Sequence, residues 1–175
     1  IDARAQSAEY TPLHRRFFLY MLRQYVLIID EVQITDGCKH ECDLRFHLDP
    51  RWRDQLVLAE ESDAVVARAP QFQLRVARAA GLAARVERGW VSRCYGVKQP
   101  APVLSFKRRA AHTLTFCSLL VPAGELEIVR LDAESEFGGS QLRCTVAGRL
   151  AGQPIVDELV VALGEASATL EQAGL

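Results

Sequence analysis

Nothing in this chain is long, repeated or strongly biased, and most of what it lacks removes a class of function. No apolar run reaches the roughly 18 residues of a membrane-spanning helix, and no basic leader with an apolar stretch and a small-residue cleavage site opens the sequence, so neither a spanning helix nor a secretion signal is expected. Charge of one sign is missing too: 21 Lys and Arg against 22 Asp and Glu leave a formal net charge of −1. That balance argues against nucleic acid and anionic membrane surfaces as bulk electrostatic partners, and against an acidic disordered tail. Five cysteines, an odd and irregularly spaced set, exclude a disulfide framework and read as reduced, mostly buried thiols.

Catalytic motifs are equally sparse. The four histidines, His14, His40, His47 and His112, do not form a zinc-ligand spacing such as H-E-x-x-H. Ser92 and Ser118 lack the G-x-S-x-G elbow of a nucleophilic hydrolase. The Gly138-Gly139 pair reads as an isolated turn, with no phosphate cradle around it. Cys38, His40 and Cys42 would project from one face of a strand, but neighbours on that face stand about 7 Å apart, too far to close a tetrahedral site. No metal site and no cofactor are therefore expected. His112, beside Thr113 and Thr115, could face a groove, although an isolated imidazole more often serves structure.

What the chain does contain is strand pattern. His14–Leu22 and Tyr25–Asp30 are β-rich runs around a hairpin at Arg23-Gln24, and Val26–Ile29, apolar without alternation, predicts a central strand buried on both faces. His40, Cys42, Leu44, Phe46 and Leu48 alternate with Glu41, Asp43, Arg45, His47 and Asp49, a half-buried antiparallel strand that Asp49-Pro50 stops. Short meander strands follow at Ala64–Ala67 and Phe72–Val76, where Gln71, Gln73 and Arg75 form the polar face. Residues 79–88 favour strand or coil over a helix, because Gly81 and Gly89 bracket too short a segment. Further strands are expected within Gly89–Pro122 and at 126–131, 141–146 and 155–163, with turns at Pro100-Ala101-Pro102, at Gly138-Gly139 and from Gly148 to Gly152. Residues 1–12 read as irregular, pairing only near Tyr10, and 164–175 as a frayed or weakly helical tail. Regular strands with Gly/Pro turns predict one all-β domain over 1–175, an antiparallel multi-strand β-sandwich.

Two basic clusters, Arg15-Arg16 and Lys107-Arg108-Arg109, could hold carboxylates or sulfates, since a guanidinium offers a planar fork to such anions. A solvated strand end is the commoner fate of such runs. Trp52, Trp90 and Tyr95 could stack on sugar rings; Trp90 is expected in the core, as aromatic residues in strands usually are. The polar bend Arg93–Lys98 is the better surface candidate, with Arg93, Tyr95 and Lys98 as substrate-binding residues.

Four segments, in order, carry a family likeness: Leu13-His14-Arg15-Arg16 before an aromatic-rich strand; Tyr25–Val32; Arg45-Phe46-His47-Leu48-Asp49-Pro50; and Gly89–Pro122 with Trp90, Cys94-Tyr95-Gly96 and Pro100-Ala101-Pro102. Together they resemble the C-terminal β-sheet domain of the heparinase II/III-like polysaccharide lyases. The resemblance implies a larger enzyme with an N-terminal α/α toroid, which cleaves acidic polysaccharide, a glycosaminoglycan or alginate, by β-elimination, and a periplasmic or secreted location. A Tyr or His base takes the C5 proton of a uronic acid while the carboxylate is neutralised and a general acid assists the leaving oxygen. In the family the toroid supplies much of that set, and the β-domain's metal-binding His and Asp lie upstream of the strand that begins here at His14. No His-x-His-x-x-x-Asp-like segment or His-Asn pair precedes that strand, so no catalytic or metal residue is carried over. The chain alone is expected to be inert, a structural domain and part of the substrate groove, with a non-catalytic glycan-binding or protein-interaction module as the alternative.

Overall fold

The computed structural model describes residues 2–7, 10–21, 24–136, 139–163 and 170–172, with side chains described for 13–21, 24–136 and 139–163. The described residues form an all-β structure in which every strand pair is antiparallel. The strands are β1 (Asp2–Ser7), β2 (Tyr10–Met21), β3 (Tyr25–Gln33), β4 (His40–His47), β5 (Val57–Glu60), β6 (Ala64–Ala69), β7 (Phe72–Ala77), β8 (Ala83–Cys94), β9 (Val97–Ala110), β10 (Leu114–Pro122), β11 (Leu126–Glu136), β12 (Gln141–Leu150), β13 (Gln153–Ala162) and β14 (Leu170–Gln172).

The expected sandwich is present, with a third layer. A central sheet runs β1-β2-β3-β10-β7-β6-β5, a flanking sheet β4-β9-β8, and a terminal sheet β11-β12-β13-β14. Side-chain alternation sends the two faces of the central sheet into different cores. Phe17, Leu27, Ile29, Cys117 and Leu119 meet Leu131, Leu142, Val146 and Leu159 of the terminal sheet. Val65, Leu74, Val76, Leu114 and Phe116 meet Leu44, Leu104 and Phe106 of the flanking sheet. With layers on both sides of the central sheet, β3 is paired to β2 and β10 and buried almost throughout, as its unbroken apolar run predicts.

Several local expectations are revised. Residues 2–7 are not irregular: they add β1 to the edge of β2, a pairing that backbone hydrogen bonds support without any side-chain period. Pro100-Ala101-Pro102 lies inside β9 and is not a turn. β4 pairs with β9 only as far as Val103, and beyond it the Pro102 carbonyl accepts from the Leu48 amide and the Pro100 carbonyl from Arg53. The missing proline N–H groups thus face the flank where β4 has ended, and no ladder bond is lost. The hairpin between β8 and β9 turns instead at Tyr95-Gly96, with Gly96 at φ 78°. Of the first hairpin's turn, Gln24 is described, at φ 70°, and Arg23 lies outside the described residues. Of the tail, 164–169 and 173–175 lie outside them, while Leu170–Gln172 pair with β13 as a strand. Two of the five thiols, Cys117 and Cys144, are buried; Cys38 and Cys94 are exposed and Cys42 is half-buried.

Gly148 is inside β12, and the turn after it is Ala151-Gly152, both with positive φ as a two-residue hairpin loop requires. The register of β11 on β12 shifts between Ile128 and Arg130, and a Cβ on Gly148 would stand 2.2 Å from the Glu127 carbonyl oxygen. Gly148→Ala therefore forces two backbones apart, and urea denaturation should show a loss of about 1–3 kcal/mol. An unchanged midpoint would mean that β11 yields freely.

Candidate functional site

Where β3 ends and β10 begins, a cleft of about 600 Å³ opens, with Glu31, Gln33, Arg78, Arg108, His112, Ser135 and Ser140 in its wall. Sequence builds it simply. β9 stops at Ala110, the chain bends through His112, and the pairing of Leu114 with Val32 and of Thr115 with Glu31 fixes that bend at the lip. His112, for which a structural role was expected, is an exposed group on this wall. The Glu31 carboxylate is buried and accepts from Gln33 Nε2 at 3.0 Å. Arg78 is held by the Glu61 carbonyl at 2.9 Å and the Glu60 carboxylate at 3.2 Å.

Arg108 differs from its neighbours in the basic cluster. Lys107 and Arg109 are taken by Glu41 at 3.0 and 3.1 Å, and Lys107 also lies 3.7 Å from Asp43; these are cross-strand ion pairs between β9 and β4. Hydrogen bonds from Lys107, then Arg109, hold the Glu41 carboxyl below its ordinary range. Arg108 points to the other face, where it donates to the Thr115 carbonyl at 2.8 Å and has no carboxylate partner among the described residues. Burial lowers its pKa, which marks a guanidinium short of compensating charge. A recessed cation with an imidazole, hydroxyls and an amide nearby suits an anionic, hydroxyl-rich ligand. The cleft offers no activated thiol, because contact with Cys144 and then burial push Cys117 well above its ordinary value.

On the opposite face of the same sheet end, His14 Nε2 and Arg16 Nε each lie 2.6 Å from Asp30 Oδ1. The hairpin register sets Arg16 directly opposite Asp30 and His14 one face-step away. This cluster escaped sequence reading, although counting back from the Gln24 turn would have found it. Asp30 is buried, and its Oδ2 has no partner among the described residues. A metal does not fit here: the pair supplies two ligands, and the Arg16 cation sits on the shared oxygen. No cluster of three or more His, Cys, Asp or Glu able to hold a metal occurs among the described residues. His40 bonds Asp36 at 2.9 Å, and Cys42 packs against the core.

The predicted surface residues gather at the tip of the β8–β9 hairpin. Tyr95 and Lys98 are exposed, and Arg93 is engaged by Asp49. Trp52 is in the core, edge-on to Phe72 at 5.9 Å. Trp90 is not: it is 58% exposed, correcting the expectation of a core residue. The reason is position. Ala84 and Phe106 still pack in the core beneath the flanking sheet, but Val86 and Trp90, further along the edge strand, are exposed.

Three antiparallel layers stacked in this order are a fold that recurs among solved structures. The chain matches a heparinase III, the BT4657 gene product, with TM-score 0.67 and 16% identity over 93% of this chain and 26% of that one. It matches the heparan sulfate lyase HepC from Pedobacter heparinus with TM-score 0.66 and 19% identity over 95% and 26%. Another heparinase III structure gives 0.67 and 13% over 91% and 25%. The likeness is one of fold, and the chain spans about a quarter of the length of these proteins. No family model and no curated protein matches the chain.

Proposed function

We propose that this chain is the β-domain of a heparinase II/III-like polysaccharide lyase, supplying structure and one wall of the groove in which the whole enzyme, with its α/α toroid, cleaves acidic polysaccharide by β-elimination. The fold likeness over nearly the full chain supports the class, and the half-buried Arg108, with no carboxylate partner among the described residues, carries the assignment of an anionic sugar to the end cleft. In this reading Arg108 meets a uronate carboxylate or a sulfate, His112 and the hydroxyls hold the ring, and the proton-transfer groups come from the rest of the enzyme.

The test is titration calorimetry of the 175-residue chain with heparan sulfate oligosaccharides, while unsaturated-uronate absorbance is followed. Saturable binding is expected, weakened about tenfold or more by Arg108→Ala, as loss of a charged hydrogen bond implies. Absorbance should stay at baseline. Steady turnover by the chain alone, or affinity indifferent to Arg108→Ala, would sink the assignment.

The exposed hairpin tip favours a second reading, a non-catalytic glycan-binding module in which Arg93, Tyr95 and Lys98 engage the sugar. Binding that survives Arg108→Ala but is lost in the Arg93→Ala/Lys98→Ala double variant would select it.

A further inference from the structure

A second groove, of about 660 Å³, shares no lining residue with the end cleft. It runs along the β8–β9 hairpin. Val86 and Trp90 give it an apolar floor, and Pro100 and Pro102 stand opposite Trp90 and Arg88 in register. Its rim is charged: Arg53 is anchored to the Pro100 carbonyl at 2.8 Å, while Arg88 and Asp54 have no hydrogen-bond or ion-pair partner among the described residues.

An exposed indole sharing a groove with a guanidinium and a carboxylate that have no partner among the described residues is a poor match for a protein partner, whose docking would bury both charges in the apolar centre of an interface. It matches a pyranose well. The ring's C–H face stacks on a flat aromatic surface, and its hydroxyls, donors and acceptors at once, can satisfy guanidinium and carboxylate together. Arg88 lies two residues before Trp90 on the same strand face, which puts its aliphatic stem beside the indole on that face.

We propose that this groove is an accessory carbohydrate site, binding a pyranose unit of a polysaccharide stacked on Trp90, with its hydroxyls on Arg88 and Asp54. The proposal rests on the reading of the domain as one that handles polysaccharide, but it uses residues that the end cleft does not.

Tryptophan fluorescence tests it directly, because the chain has two tryptophans and Trp52 is buried, so ligand-dependent emission reports on Trp90. The 175-residue chain would be titrated with heparan sulfate oligosaccharides and, separately, with neutral cello-oligosaccharides. A saturable emission change and protection from acrylamide quenching are expected with at least one probe. Affinity at this groove should fall about tenfold in Arg88→Ala and be unaffected by Arg108→Ala. In the Arg108→Ala background, which weakens the end cleft, calorimetric affinity for that probe should fall about tenfold or more in Trp90→Ala and partly return in Trp90→Phe. Since Trp90 is exposed, Trp90→Ala should keep its thermal midpoint, which excludes misfolding as the cause. No emission change with either probe, or affinity in the Arg108→Ala background that is indifferent to Trp90→Ala, overturns the proposal. Loss in Arg108→Ala with indifference to Trp90→Ala leaves the end cleft standing without this site; the reverse pattern leaves this site standing without the end cleft.

Discussion

Arg75→Ala should lower the free energy of unfolding by about 3 kcal/mol, near the lower end of the range for removing one partner of a buried ion pair. Arg75 is 1% exposed in the middle of the central sheet. Its Nη2 reaches Glu61 at 2.8 Å and Asp63 at 3.1 Å, and its two terminal nitrogens approach the Ile128 and Val129 carbonyls of β11 at 3.3 and 3.4 Å. Asp63 also accepts the Leu131 amide at 2.6 Å, so the cluster ties the central sheet to the terminal one. Truncation strips the carbonyls of their donor and leaves Asp63 with no cationic partner among the described residues, while Glu61 keeps only Arg68. Those carboxylates keep some contact with water, which is why the loss is placed at the lower end. Against a total stability of about 5–15 kcal/mol this is a large fraction. Equilibrium denaturation in urea measures it, and a loss under about 1 kcal/mol would show the cluster to be solvated and dispensable.

The same cluster sets the acid limb of stability. Burial pushes Asp63 up, but the Leu131 amide and Arg75 outweigh it and hold the group below its ordinary value; for Glu61, burial is likewise outweighed by Arg68 and Arg75. A depressed folded pKa stabilises the protein above the unfolded value, about 4, and that contribution fades as pH falls below it towards the folded value. The midpoint should therefore be insensitive to these groups from pH 7 to about 5 and drop below about 4. In Arg75→Ala the drop should be shallower.

Arg75 also shows where sequence reasoning stops. Alternation correctly put Leu74 and Val76 on one face and Gln73 and Arg75 on the other, but a period of two says only that the faces differ. It cannot say that β11 comes to lie over the polar one. Likewise the unbroken run in β3 announced burial on both faces without announcing the terminal sheet that provides half of it. Strand type was legible at β4 and β7 because propensity and alternation agree there. The site was less so. Lys107, Arg108 and Arg109 look equivalent in sequence, and only the register of β9 on β4 pairs the first and third with Glu41 and turns the second inward. Trp90 read as core because strand aromatics usually are, and nothing local tells that the hairpin continues past its supporting layer.

Phe106→Ala should cost about 3–5 kcal/mol, the range for removing a fully buried aromatic side chain. Phe106 is completely buried between the central and flanking sheets, edge-on to Phe46 at 6.2 Å and 82°, among Leu44, Leu74, Val76, Leu104 and Phe116. The neighbours come from two different sheets and cannot collapse into the space without drawing those sheets together, so a cavity should persist. Because the two cores lie on opposite faces of the central sheet, the damage should also be directional. Amide hydrogen exchange on Phe106→Ala should show β8 and β9 opening at a lower free energy than β12 and β13, which pack in the other core. Since β8 carries Trp90, sugar-dependent emission should weaken in the same variant before the terminal sheet loses protection. Uniform loss of protection across all three sheets would instead make the layers one cooperative unit, with the flanking sheet unable to open independently.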